Sequence, residues 1–161
     1  MLRMFWALIG AVVLVSCVES PLRSAFKAID DKGWHKDSIM QFTFKDLDTL
    51  QQYNMFLVVR NDNTYAYSNL FLIATLTMPD GNMVRDTLEY EMAKPSGEWL
   101  GNGYGSLKEN KLWYKENLQL PSSGAYTLEV MHAMRKNGSV DGLIELEGIT
   151  DVGYQIEKSN R

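Results

Sequence analysis

The chain has 161 residues, with 16 Lys and Arg against 20 Asp and Glu and a formal net charge of −4. A mildly acidic chain with no Lys/Arg stripe lacks the electrostatic footprint of nucleic-acid binding, so that class is set aside. Its single cysteine, Cys17, leaves no internal disulfide framework, and its length suits one domain able to bury a core without such staples.

The first element is a leader. Arg3 supplies a positive start, and an unbroken apolar run follows from Met4 to Val15. That run is too short for a bilayer-crossing helix, which needs about 20 apolar residues, but it fits the apolar centre of a secretory signal. Leu14, Val15 and Ser16 then lead directly into Cys17, a pattern that resembles the lipobox of bacterial lipoproteins. There the cysteine thiolate takes a diacylglyceryl group, the signal is cut before it, and the new amine is acylated. Two or three acyl chains, at about 0.8 kcal/mol per buried methylene, hold a protein on a membrane durably. The expectation is a signal peptide over residues 1–16, a lipidated tether over 17–25 and a domain over 26–158. Val18 is not the Asp that retains lipoproteins in an inner membrane, and Glu19 alone is a poor surface-export signal. Both favour the periplasmic face of an outer membrane.

After the tether the dominant apolar period is two. Met40, Phe42 and Phe44 share one face, with Gln41 and Thr43 on the other, and Tyr53, Met55, Leu57 and Val59 repeat the pattern. Leu70–Thr77 is a continuous apolar and β-branched run, as for a strand buried on both faces. Asp80-Gly81 suits a tight turn into the alternating Val84, Leu88, Tyr90 and Met92, which predicts a hairpin. Leu112 to Leu120, PSSG, and Tyr126 to Val130 predict a second hairpin. Leu143–Leu146 and then Val152, Tyr154 and Ile156 close the chain. The reading is an all-β protein, a single antiparallel β-sandwich of seven or eight strands behind a cleaved lipoprotein signal peptide. An up-and-down barrel is the alternative.

Chemistry-bearing patterns are few. His35 and His132 are far apart in sequence, outside zinc spacing, and there is no GxSxG nucleophile elbow, so the chain reads as a non-enzyme without metal or cofactor. His132 itself reads as a partly exposed sheet residue. RNDNTYAYSNL, opened by Arg60, offers Asn and Asp oxygens but lacks calcium-loop spacing, and reads as a turn whose side chains bond nearby amides. SGEWLGNGYGS carries four glycines among eleven residues without the Lys or helix start a phosphate loop requires. Arg60, Tyr65, Tyr67, Trp99 and Tyr104 are the candidate surface, for a protein partner or, through exposed aromatic rings, for a glycan. Trp34 and Trp113 add to the aromatic count, and large aromatics are mostly core.

The chain is similar to the gliding-motility lipoprotein GldH family of Bacteroidota. The resemblance runs through Trp34, the RNDNTYAYSNL stretch, Asp86-Thr87-Leu88, Gly97 with Trp99-Leu100-Gly101, Gly124, Tyr126, Met134-Arg135, Gly148-Ile149 and Asp151-Val152-Gly153. It implies a lipoprotein that supports the gliding machinery and the associated type IX secretion apparatus, by stabilising or positioning other envelope lipoproteins. It brings no catalytic residue across.

Overall fold

The computed structural model describes residues 20–160, so Cys17 and the leader lie outside the described residues. Ten strands follow in order: β1 (Arg23–Ala28), β2 (Trp34–His35), β3 (Met40–Phe44), β4 (Gln52–Asn61), β5 (Asn69–Thr77), β6 (Met83–Glu91), β7 (Lys108–Gln119), β8 (Tyr126–His132), β9 (Glu145–Leu146) and β10 (Ile149–Lys158). Eight of them build two open antiparallel sheets, β1-β10-β4-β7 and β3-β8-β5-β6, and β2 pairs with β9 apart from both. The sheets pack face to face as a sandwich rather than closing into a barrel.

Alternation decides which side chains lie between the sheets. Met55, Leu57 and Val59 of β4, Val152 of β10, Leu70 and Leu72 of β5, and Leu128 and Val130 of β8 are all fully buried there. Phe44 stacks on Tyr126 at 5.6 Å and meets Tyr154 at 5.5 Å, so aromatic rings bridge the two layers. Both open sides are tied. Tyr90 Oη donates to the Trp113 carbonyl at 2.6 Å, and Lys115 pairs with Asp86 at 2.8 Å, joining β6 to β7. Lys27 lies 5.7 Å over the Phe42 ring, joining β1 to β3. Burial pushes the Tyr90 hydroxyl up to about 12, with the Asp86 charge adding to it, so this strut stays a neutral donor.

Several expectations need correction. β1 begins at Arg23, and Leu22 already donates to the Ile156 carbonyl at 2.8 Å, so the sandwich starts inside the span given to the tether. The Asp80-Gly81 turn does join paired strands, with Gly81 at φ 86°. The PSSG turn does not: β7 pairs with β4, whereas β8 pairs with β3 and β5, so this connection crosses between sheets. β5 is buried on one face only; Leu70, Leu72, Ala74 and Leu76 are covered, and Phe71, Ile73 and Thr75 are half-buried on the outer face. His132 is 4% exposed, not a surface residue. Its ring meets Trp34 edge-on at 5.5 Å, and neither ring nitrogen has a hydrogen-bond partner.

Candidate functional site

The sandwich has two ends. Arg23 pairs with Ile156, and its guanidinium reaches the Asp46 carbonyl at 3.4 Å; this near end is where the chain enters the domain. Asn61, Ile149 and Asn69 mark the far end, where β4 hands over to β5. Residues 62–68, 92–107 and 133–148 gather at that far end.

Residues 62–68 are held by their own polar side chains. The Asp62 carboxylate accepts from the Thr64 amide at 2.8 Å and from its hydroxyl at 2.6 Å. Tyr65 turns inward, 3% exposed, and its hydroxyl donates to the Asn69 carbonyl at 2.6 Å. Burial raises that phenol well above its usual range, with Tyr67 adding to the effect. Gly148 makes room for it: at φ +82°, a Cβ there would stand 2.1 Å from the Tyr65 amide nitrogen. Tyr67 meets Tyr65 edge-on at 5.7 Å, and Trp99 lies 6.2 Å from Tyr65 on the other side.

Three of the five residues singled out from sequence therefore share one cluster, and two do not. Tyr65, Tyr67 and Trp99 pack together against the core. Tyr104 is wholly exposed in the glycine-rich loop. Arg60 sits on the outer face of the other sheet, paired with Glu109 at 2.9 Å and lying 4.5 Å over the Phe26 ring. Among the described residues only Tyr104 presents a full ring to solvent, whereas Trp113, on β7, is half exposed beside Phe56. A further polar element had no clear sequence signature: Asn61 and Asn110 are both buried, and the Asn110 amide donates to Asn61 Oδ1 at 2.9 Å and to the Val59 carbonyl at 3.1 Å.

The far end also carries a groove of about 660 Å³ on the outer face of β5, lined by residues that include Tyr67, Asn69, Phe71, Ile73, Met134 and Arg135. A second cleft of about 500 Å³, toward residues 139–147, shares Tyr67 as a wall. Such volumes fall within the range of ordinary binding sites. Of the residues lining the larger groove, only Arg135 is charged, and it makes no ion pair among the described residues. The Leu70–Thr77 run was the signal for this groove, since its apolar residues occupy both strand parities.

Fold and surface together define an antiparallel β-sandwich domain with an open apolar groove at one end. The family model described as GldH lipoprotein matches residues 22–156. The chain belongs to that family. It is 50% identical over 149 residues to a gliding motility lipoprotein GldH homolog of Christiangramia forsetii, covering 92% of this chain and 91% of the relative. It is 40% identical over 153 residues to gliding motility lipoprotein GldH of Flavobacterium johnsoniae, covering 95% and 94%. Among solved structures, the VP2 subviral particle of infectious bursal disease virus overlaps 92% of this chain and 37% of that one, at 18% identity. Its TM-score of 0.36 bears on neither fold nor function.

Proposed function

We propose that this chain is a lipid-anchored, non-enzymatic accessory protein of the bacterial envelope. It supports gliding motility and the associated type IX secretion machinery through contacts with other envelope proteins. The observation that carries this reading is the family match over residues 22–156, with relatives at 50% and 40% identity that are named for gliding motility. Cys17, with Leu14, Val15 and Ser16 before it, is the lipidated residue and the mature N-terminus. The sandwich begins at Arg23. Residues 18–22 reach at most about 20 Å at full extension, so the tether keeps the near end close to the bilayer. The membrane face is the periplasmic side of the outer membrane.

Cys17→Ala tests the anchor. The variant is expected to lose incorporation of radiolabelled palmitate, to accumulate as the uncut precursor away from the outer membrane, and to lose spreading motility. A variant that carries no palmitate yet spreads normally would overturn the functional role of the anchor.

A further inference from the structure

Residues 45–51 cross the near end of the sandwich from β3 to β4, and side chains from three strands fix them there. The Arg23 guanidinium of β1 donates to the Leu22 carbonyl at 2.9 Å and to the Asp46 carbonyl at 3.4 Å. The Tyr53 hydroxyl of β4 donates to the Asp48 carbonyl at 3.0 Å, and the Gln119 amide of β7 to the Thr49 carbonyl at 3.3 Å. Within the loop the Asp48 carboxylate accepts from the Leu50 backbone amide at 2.8 Å, a local turn that Asp favours. Leu47 packs against the core, whereas Leu50 is 88% exposed. A loop held on three sides thus presents a bare leucine. Leu22 and Met83, 36% and 66% exposed, stand at the same end.

Exposed apolar side chains occur at the far end too, Tyr104 among them, and a single surface leucine is ordinary. The tether is what separates the two ends. Leu22 is already bonded to Ile156 of β10, so the near end lies within about 20 Å of Cys17. Strand β4, at about 3.3 Å per residue, puts the far end about 30 Å beyond it. The near end carries charges of both signs, Arg23, Lys45 and Lys158 with Asp46, Asp48 and Asp80, so what it offers a neighbouring surface is apolar contact.

We infer that the near end seats on the bilayer that holds the anchor, with the Leu50 side chain inserted between the lipid headgroups. The inference rests on the lipid-anchor reading and adds an orientation to it: the strands stand up from the membrane, and residues 62–68, 92–107 and 133–148 face away from it.

The test uses the full-length lipidated protein in vesicles of phosphatidylcholine and phosphatidylethanolamine that contain a headgroup-proximal spin-labelled lipid. Cys17 is the single cysteine and its sulfur is spent on the lipid, so one introduced cysteine takes a thiol-reactive fluorophore at one place. Lys45→Cys reports the near end, Tyr104→Cys the far end and Thr87→Cys the outer face of β6. All three side chains are exposed, and unchanged melting curves verify the fold. The Lys45 label is expected to be quenched at least about threefold more than the other two, and adding Leu50→Asp to reduce that quenching at least about twofold. Equal quenching at the three positions, strongest quenching at Thr87 or Tyr104, or quenching at Lys45 that ignores Leu50→Asp overturns the inference. So does a dimer in sedimentation that Leu50→Asp dissociates. A chain that takes up no palmitate removes the anchor reading and this inference with it, whereas an acylated chain with an unquenched Lys45 label removes the seating alone.

Discussion

The two outer faces of the sandwich solve the same problem differently. Both carry apolar side chains at the outward parity: Phe26, Phe56 and Val58 on the sheet of β4, and Phe71 and Ile73 on the sheet of β5. On the first face long cationic side chains lie down over the rings. Lys111 places its ammonium 4.2 Å above Phe56 and pairs with Glu157 at 2.6 Å, while Arg60 covers Phe26 and pairs with Glu109. Their methylene stems bury apolar surface, the charges stay wet, and cation–π attraction holds them in place. On the second face no cation lies over the Phe71 ring among the described residues. Covered and uncovered faces thus differ less in apolar content than in whether a tethered cation shields it.

Breaking the covered face should have the largest effect. Phe56 is 5% exposed, so Phe56→Ala is expected to cost about 3–5 kcal/mol in a denaturant melt. Next in size is an acid effect at the far end. Burial holds the His132 imidazole below its usual pKa of 6.5; the Glu145 charge opposes this, and His35 reinforces it. The unfolded chain then binds the proton more readily, so stability that is full above about pH 6.5 declines as the pH falls below it. A melting temperature that drops between about pH 7.5 and 5, with the drop reduced in His132→Leu, is the expected result. Arg60→Ala should cost about 1 kcal/mol, because it uncovers Phe26 and frees a pair only about one third exposed. Ile73→Ser should shift stability by less than about 1 kcal/mol. If it destabilised the domain as much as Phe56→Ala, the open face would be core and the contrast would fail.

Where pairing is local, the sequence was sufficient. Val84, Leu88, Tyr90 and Met92 alternate cleanly, and Asp80-Gly81 closes the turn before them, so the β5–β6 hairpin could be read directly. The β7–β8 connection could not, because a PSSG turn looks the same whether it joins strands in one sheet or carries the chain across the sandwich. β2 and β9, two residues each, are too short to show any period. Within the candidate surface, the aromatic content of each stretch was legible, but that Tyr65 meets Trp99 was not, and the inward packing of Tyr65 depends on Gly148, far away in sequence. The groove was legible only in part. An apolar run at both parities reports two covered faces and is silent on whether the second cover belongs to the same chain.

The buried Asn61–Asn110 amide pair bears on how the sheet assembles correctly. The β4–β7 ladder carries two irregularities between Tyr53 and Phe56, so its near end can absorb an extra residue. Slippage that travelled to the far end would leave two desolvated amides facing apolar neighbours, at a cost of about 1–3 kcal/mol each. The pair therefore favours the native register of the β4–β7 ladder. A misaligned ladder would be penalised at Asn61, where β4 gives way to residues 62–68.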